Sequence, residues 1–228
     1  VHVGSKLFMA DLFERFLRWI NLDAGPPESR NLASQVKYVI IDGDLIDGIG
    51  IYPNQENELA ITDVREQYNT ATTYLYKIPD YVEMIVIPGN HDAVRKSLPQ
   101  PPIPREYAEP LHKDGRIHML GNPCRLLLNG VEALIYHGKA LDDVLSQTPG
   151  MDFNSPEKGI ELLLRCRHLA PAYGATTPLA PEKEDSLVIS SPPDVLQMGH
   201  IHRFNSLRYK GVTLISSAPW QSQTSYQK

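Results

Sequence analysis

Polar side chains follow several apolar runs of the sequence, and their types suit metal binding and proton transfer. Residues 84–86 form an apolar run, and residues 87–92 then read IPGNHD. Other apolar runs lead into residues 43–47, which read GDLID, and into residues 199–202, which read GHIH. Short apolar runs predict buried strands, and Pro and Gly end them. Because ligands of open α/β sheets bind at the C-terminal edge of the strands, the sequence predicts a site at that edge.

Asp, Asn and His side chains at these strand ends form one candidate set. The set comprises His2, Asp44, Asp47, Asn90, His91, His137, His200 and His202. A single histidine of this kind is more often a satisfied, partly buried residue, but a whole set points to one shared rim. Nitrogen and oxygen ligands without thiolates favour Mn, Fe, Zn or Mg ions and disfavour Cu(I) and Fe–S clusters.

The candidate set predicts hydrolysis of a phosphoester. A single carboxylate such as Asp44 can bridge two ions through its two oxygens. Two ions about 4 Å apart suit in-line phosphoester hydrolysis, because they generate hydroxide and neutralise the developing charge. A histidine that is not a ligand, held by a carboxylate, can then serve as general acid for the leaving oxygen.

Composition places few limits on this function. The 228 residues suffice for one sizeable domain or two small ones, and 42% apolar with 21% charged residues is ordinary for a globular protein. The formal charge of −5 argues mildly against a simple basic DNA-binding module. Two divalent ions would add about four positive charges at their site, so the acidic balance decides little.

Neither a membrane span nor a signal peptide is predicted. The sequence has no apolar run of about eighteen residues, and its start does not resemble a signal peptide. Cys124 and Cys166 lack the spacing of metal or redox sites, which predicts reduced thiols in the core. We therefore expect a cytoplasmic protein that does not bind membranes.

The hydrophobic pattern predicts the elements that carry the candidate set. Helices are predicted over residues 9–20, 62–76, 139–147 and 155–169, and strands over 36–41, 84–87, 125–128, 131–136, 186–190, 195–198, 207–209 and 212–216. Residues 21–32 are a predicted loop, and the proline-dense residues 99–104 are either an ordered surface loop or a docking elbow for a partner. Helices alternate with strands early and hairpins follow late. This order predicts a layered α/β sandwich of two mixed sheets with helices outside.

In this order the motifs resemble those of the calcineurin-like metallophosphoesterases. That family has D-x-H, GDxxD, GNHD, a lone His after a strand and GHxH, which correspond here to His2, residues 43–47, residues 89–92, His137 and residues 199–202. The aspartate of D-x-H would directly precede Val1. More narrowly, residues 2–6, 88–104 and 167–171 resemble the small subunit of archaeal family D DNA polymerase.

The resemblance implies a fold and a domain boundary. The implied fold is α/β, of the layered α+β kind: a four-layer metallophosphoesterase sandwich of two mixed β-sheets flanked by helices. Residues 1–228 would form one calcineurin-like phosphoesterase domain. We expect this domain to be trimmed at both ends from a longer polypeptide, with an upstream oligonucleotide-binding domain absent.

The resemblance also implies roles for the candidate residues. His2, Asp44 and His202 would hold one metal ion. The second ion would be held by Asp44, which bridges, and by Asn90, His137 and His200. His91 would protonate the leaving oxygen, and Asp47 would orient His91. Asp92 receives no ligand role and is expected to cap its turn by accepting backbone N–H groups. Arg95 and Lys96 either neutralise substrate phosphates or form a solvated charged pair.

The implied activity is a 3′-to-5′ exonuclease that proofreads for a large catalytic polymerase subunit. Its substrates would be single-stranded or mismatched DNA 3′ ends, and manganese would be the preferred ion, with Mg, Fe or Zn as alternatives. A phosphatase or cyclic-nucleotide phosphodiesterase could use the same ligands. A non-catalytic scaffold subunit is the alternative from another class. Such a scaffold would have its ligand positions replaced, whereas every ligand position within residues 1–228 is intact.

Overall fold

Two β-sheets form the centre of the fold in the computed structural model, which describes residues 1–172 and 174–225. The first sheet has three parallel strands in the order β1-β2-β3, namely β1 (Tyr38–Asp42), β2 (Glu83–Ile87) and β3 (Ile117–Met119). The second sheet is mixed and has the order β4-β5-β6-β8-β7. Its strands are β4 (Cys124–Leu128), β5 (Val131–Tyr136), β6 (Val195–Met198), β7 (Asn205–Tyr209) and β8 (Val212–Ser216).

Helices cover the outer faces of both sheets. They are α1 (Ala10–Ile20), α2 (Pro27–Ala33), α3 (Val64–Leu75), α4 (Arg105–Lys113), α5 (Leu141–Gln147) and α6 (Pro156–Cys166). Apolar side chains of α1, α3 and α4 share one buried cluster with the first sheet. Side chains of α5 and α6 share a second cluster with the second sheet. None of the helices in the described part of the chain has the length and apolar character that crossing a membrane requires.

Alternation along the central strands shows that the sheets face each other. Met84 and Val86 of β2 pack into the cluster under the helices. Ile87 lies in a separate cluster with Ala133 and Ile135 of β5. Because successive side chains of a strand point to opposite faces, this division defines layers of helix, sheet, sheet and helix. The predicted four-layer α/β sandwich is therefore confirmed.

Strand register brings the ends of the central strands to one edge. Asp42 at the end of β1 pairs with Ile87 at the end of β2. In the second sheet, Tyr136 at the end of β5 pairs with Met198 at the end of β6. Both pairs are parallel, so the segments that follow these four strands emerge at the carboxyl edges of their sheets.

Several local predictions were wrong. Residues 21–32 are not all loop, because α2 begins at Pro27, whose missing N–H and fixed φ suit the first turn of a helix. Residues 186–190 form no strand and contribute only an isolated bridge between His168 and Val188. Strand β3 and helix α4 were not predicted; β3 is three residues long, and α4 contains Pro110. Cys166 is exposed and is not a core thiol.

Candidate metal centre

The carboxyl ends of four strands, two from each sheet, supply most of the candidate site. Segments after β1 and β2 carry Asp44, Asp47, Asn90 and His91, and segments after β5 and β6 carry His137, His200 and His202. His2 joins them from the N-terminal segment, where its backbone N–H donates to the Asp44 carbonyl at 2.9 Å. The structure thus brings every residue of the candidate set to one place.

Asp44 lies at the centre of the cluster and is 3% exposed. Its Oδ2 is 3.3 Å from His137 Nε2 and 3.7 Å from His2 Nε2. Its Oδ1 accepts the backbone N–H of His91 at 2.9 Å. Burial alone favours the neutral acid, but the facing imidazoles of His137 and His91 hold the pKa of Asp44 well below its usual range. The carboxylate is therefore ionised and has oxygens directed to both sides of the site.

His2 and His202 form one side of the cluster, with their Nε2 atoms 3.0 Å apart. The other nitrogen of His2, Nδ1, lies 3.2 Å from the Asp47 carboxylate. Burial lowers the pKa of His2 well below its usual value and that of His202 to about 3. Both rings are therefore neutral near pH 7, which is the form of imidazole that binds metal ions.

His137 and His200 form the other side, with ring centroids 5.2 Å apart. His137 Nδ1 lies 2.8 Å from the Asp42 carbonyl, which can only accept, so Nδ1 donates. Its Nε2 is then left facing Asp44 and the Asn90 side-chain oxygen, the latter at 3.1 Å. Burial opposes the charged form of His137, but the Asp44 carboxylate outweighs it and raises the pKa of His137 to about 9.

Among the described residues, three overlapping groups have ligand atoms that all lie within 4.8 Å of one another. The groups are His2, Asp44 and His202; Asp44, His137 and His200; and His2, Asp47 and His91. The first two share Asp44, as a bridging carboxylate requires. The third group was not predicted from the sequence as a ligand set.

Two glycines of the motifs are needed for this close packing. A Cβ on Gly43 would lie 2.2 Å from His137 Nδ1, and a Cβ on Gly89 would lie 2.1 Å from Asp44 Oδ1. Real Cβ atoms do not approach other atoms this closely, so any side chain at either position would displace Asp44 or His137. The glycines of GDxxD and GNHD therefore leave room for the polar side chains.

Backbone strain is concentrated in the same residues. His2, Asp44, His200 and His202 have φ values of 63°, 49°, 67° and 59°. This left-handed region costs non-glycine residues energy, and it persists only where the surrounding structure enforces it. The sequence alone gives no sign of these conformations.

Asp142 was missed by the sequence analysis although it contacts a candidate ligand. It lies in the first turn of α5, and its Oδ2 is 2.9 Å from His200 Nε2 and 2.6 Å from Lys139 Nζ. Burial opposes ionisation, but His200 and Lys139 lower the pKa of Asp142. The bond to the carboxylate occupies Nε2 of His200 and leaves Nδ1 for the cluster. A carboxylate in this position orients a ligating histidine and makes it more basic.

Asp47 makes its closest approach to His91 through its main chain. His91 Nδ1 lies 2.7 Å from the Asp47 carbonyl oxygen and 3.9 Å from its carboxylate. The carboxylate instead accepts from Gln221 at 2.9 Å and from Gln55 at 3.1 Å. These two glutamines were not identified from the sequence, because nothing distinguishes them there from surface glutamines.

Residues next to the GNHD motif have mainly structural contacts. Asp92 accepts the N–H groups of Gly89 and Leu45 at 2.9 and 3.3 Å, as expected of a residue that caps the turn. Arg95 forms an ion pair with Glu182 at 2.6 Å. Lys96 donates to the carbonyl of Asn90. The side chains of Arg95 and Lys96 are therefore both bound to other groups of the protein.

A buried amide pair connects the two halves of the site. Gln100 donates to the Gly89 carbonyl at 3.1 Å, and Asn122 donates to the Gln100 side-chain oxygen at 2.7 Å. Asn122 Oδ1 accepts the backbone N–H of His137 at 3.0 Å. The proline-dense loop is thus ordered, and Gln100 within it links the first sheet's motif to the second sheet's histidine.

Comparison with known proteins identifies relatives over the whole chain. The family model for the DNA polymerase alpha/epsilon B-subunit matches residues 3–206. The chain is 47% identical over 227 residues to a DNA polymerase II small subunit of Archaeoglobus fulgidus, covering 100% of this chain and 46% of that protein. It is 48% identical over 228 residues to a protein of the same description from Methanothermobacter thermautotrophicus, covering 100% and 47%. The chain thus spans about half the length of these curated relatives.

Solved structures with some similarity include a novel archaeal phosphodiesterase and a zinc complex of Vps29 from Entamoeba histolytica. The phosphodiesterase matches with a TM-score of 0.41 and 13% identity, over 91% of this chain and 79% of that one. Vps29 matches with a TM-score of 0.35 and 12% identity, over 86% of this chain and 66% of that one.

Proposed function

The chain belongs to the DNA polymerase alpha/epsilon B-subunit family, and from this premise we propose that it is the nuclease part of an archaeal DNA polymerase small subunit. In this proposal it removes nucleotides from DNA 3′ ends with two divalent ions, and it proofreads for a large catalytic subunit. The observation that carries the proposal is the intact ligand set, with Asp44 shared between two groups. A protein kept only as a scaffold has no need of such a set.

The donor atoms fit a pair of divalent ions. Burial keeps His2, His200 and His202 neutral, so each has a lone pair to offer. His137, whose pKa the Asp44 carboxylate raises to about 9, would have to release its Nε2 proton when an ion binds. The ionised Asp44 supplies oxygen to both sides of the site, and Asn90 adds an amide oxygen. Nitrogen and oxygen donors without sulfur suit Mn, Fe, Zn or Mg ions, and the family resemblance favours manganese among them. We assign His2, Asp44 and His202 to one ion, and Asp44, Asn90, His137 and His200 to the other.

Bound ions would supply the Lewis acidity that makes water a nucleophile near neutral pH and offsets charge on the phosphate. The chain's own residues then hold the ligands and move the proton. Asp142 fixes the ring of His200 through Nε2, and the Asp42 carbonyl fixes that of His137 through Nδ1. Both rings therefore reach the reaction already oriented, at no further entropic cost.

His91 is assigned as the general acid. The Asp47 carbonyl accepts from Nδ1 at 2.7 Å, so Nδ1 keeps its proton; in the imidazolium form Nε2 carries a second proton, which it can give to a leaving oxygen. The His91 ring also stands edge-on to His2, with centroids 4.7 Å apart. Asp47 thus orients the acid mainly through its backbone, while its carboxylate positions His2.

A substrate comparison tests the proposal. The full-length protein, freed of metal with a chelator and supplied with Mn²⁺, is offered a primer with a mismatched 3′ end and, separately, a nucleoside monophosphate ester. We expect Mn²⁺-dependent shortening of the primer and a metal content of two ions per chain. Hydrolysis of the ester alone would favour a phosphatase, and failure with both substrates would favour a scaffold role.

A further inference from the structure

A cleft of about 790 Å³ opens over the candidate metal centre. Its floor is formed by the polar side chains of the site, namely Asp44, Asn90, His91, His200 and His202. Its rim includes residues of a different character: Tyr52, Lys139, Phe153 and Arg203. A cleft of this size exceeds the needs of a phosphate group alone and is of the size that takes an organic ligand.

Phe153 exposes an aromatic ring at this rim. It lies in the loop between α5 and α6 and is 46% exposed. It belongs to none of the apolar clusters found among the described residues, although its neighbour Met151 packs against one of them. An exposed ring beside a polar site leaves apolar surface in water, and a ligand with a flat apolar face would cover it.

Tyr52 places a second ring beside the proposed acid. Its hydroxyl donates to Glu58 at 2.8 Å, which fixes the side chain. The centroid of its ring is 6.3 Å from that of His91. The cleft therefore offers aromatic surface both near the reacting atoms and farther out at Phe153.

Arg203 adds positive charge at the same rim. It is exposed, and no carboxylate of the described residues forms an ion pair with it. Lys139, by contrast, is engaged with Asp142 at 2.6 Å. Arg203 is thus a guanidinium that can meet a phosphate without first breaking an internal ion pair.

We propose that this cleft binds the unpaired end of a DNA strand, with a base stacked on Phe153 and a neighbouring phosphate held by Arg203. This inference rests on the proposed nuclease function and names the two residues, outside the ligand set, that would hold the strand. Both faces of a base inside a duplex are covered by its stacked neighbours, whereas an unpaired base is free to lay a face on the ring. A mismatched 3′ end meets this requirement, whereas a paired end has to open first.

An abasic substrate separates base contacts from phosphate contacts. The full-length protein with Mn²⁺ is assayed on a single-stranded oligonucleotide and on an abasic oligonucleotide of the same length. Phe153→Ala should raise KM for the base-bearing strand about tenfold, leave kcat unchanged and have no effect on the abasic strand. Phe153→Trp should restore the KM, because tryptophan also offers a flat ring.

One further variant tests the phosphate contact, and another serves as a control. Arg203→Gln should weaken binding of both strands equally and reduce the dependence of binding on salt, because phosphates occur in both. Tyr81→Ala removes a ring that is 44% exposed and precedes β2, away from the carboxyl edge of the sheet. It should change neither substrate's KM.

Binding can also be measured without turnover. In the presence of chelator, a strand whose 3′ base is a fluorescent adenine analogue should lose emission on binding, because stacking quenches it. Phe153→Ala should abolish the quenching. Equal use of both strands by the unaltered protein, or equal slowing of both by Phe153→Ala, overturns the stacking inference while nuclease activity stands. Absence of Mn²⁺-dependent cleavage of either strand, with the nucleoside ester hydrolysed, overturns the proposed function instead.

Discussion

The two sheets contribute different chemistry to the same site. The parallel sheet supplies oxygen donors and the proposed acid, through Asp44, Asn90 and His91, whereas the mixed sheet supplies only imidazoles. Neither sheet alone assembles either proposed ion site, since Asp44 completes both groups from across the interface. The site therefore exists only when the two sheets pack together. Substitutions on the parallel sheet and on the mixed sheet should have different effects on metal binding and turnover, and these effects can be compared.

The largest effect is expected from the residue that both groups share. Asp44→Ala removes the only carboxylate common to the two proposed ion sites. We expect loss of both bound ions and of all metal-dependent activity, with metal content measured on the dialysed full-length protein. Asp23→Ala, at an exposed position, is the matched control and should retain both ions. Retention of two ions by Asp44→Ala would show that the bridge is wrongly assigned.

The next largest effect is expected from His91, which follows a strand of the parallel sheet and is assigned to proton transfer and not to metal binding. His91→Ala removes the proposed acid but no proposed ligand, so the ions should stay while kcat falls about 10²- to 10⁴-fold. The measurement pairs metal content with turnover of the single-stranded substrate. His118→Ala, at an exposed position of β3, should leave both unchanged. A His91→Ala protein that loses metal would instead make His91 a ligand, as the third group of ligand atoms allows.

In the half of the site formed by the mixed sheet, substitution of Asp142 should have a smaller effect, and only on one of the two proposed ions. Asp142→Ala removes the carboxylate that holds His200 Nε2, and metal affinity should fall about 10- to 100-fold. Only the ion held by His200 should be affected, so a metal titration should separate into two phases. Asp142→Asn should recover part of the affinity, because an amide oxygen can still accept from Nε2. Glu161→Gln, whose ion pair lies on α6, should give an unaltered titration.

The smallest effect concerns the amide pair that joins the two halves. Asn122→Leu leaves the backbone N–H of His137 and the side-chain oxygen of Gln100 without hydrogen-bond partners in a buried place. The free energy of unfolding should fall by about 1 to 3 kcal/mol, measured by urea denaturation of the metal-free protein. Asn31→Leu on the exposed face of α2 is the control.

A double variant sharpens this last test. Gln100→Leu combined with Asn122→Leu removes both amides and should cost less than the sum of the two single changes, because neither leaves the other unpaired. Strict additivity would mean that the pair does not connect the sheets energetically.

Much of the fold could be predicted because its signals are local. The apolar runs of β2 and β5 and the amphipathic pattern of α1 each depend on neighbours within a few residues. Strand β3 was missed because three residues are too few to show a period. Residues 186–190 have the composition of a strand but find no partner strand among the described residues. Composition therefore predicted a strand that the tertiary structure does not form.

The sequence by itself determined which residue types stand at the strand ends, because the Gly and Pro residues that follow the apolar runs disfavour continuation of the strand. Only the tertiary structure decided which of them meet. His2 and His202 are 200 positions apart yet bring their Nε2 atoms to 3.0 Å. Groups distant in sequence also decide which ring nitrogen of a histidine faces the cluster. The Asp42 carbonyl holds Nδ1 of His137, and the Asp142 carboxylate holds Nε2 of His200. Contacts between residues so far apart depend on how two sheets pack, and no local pattern of residues encodes that packing.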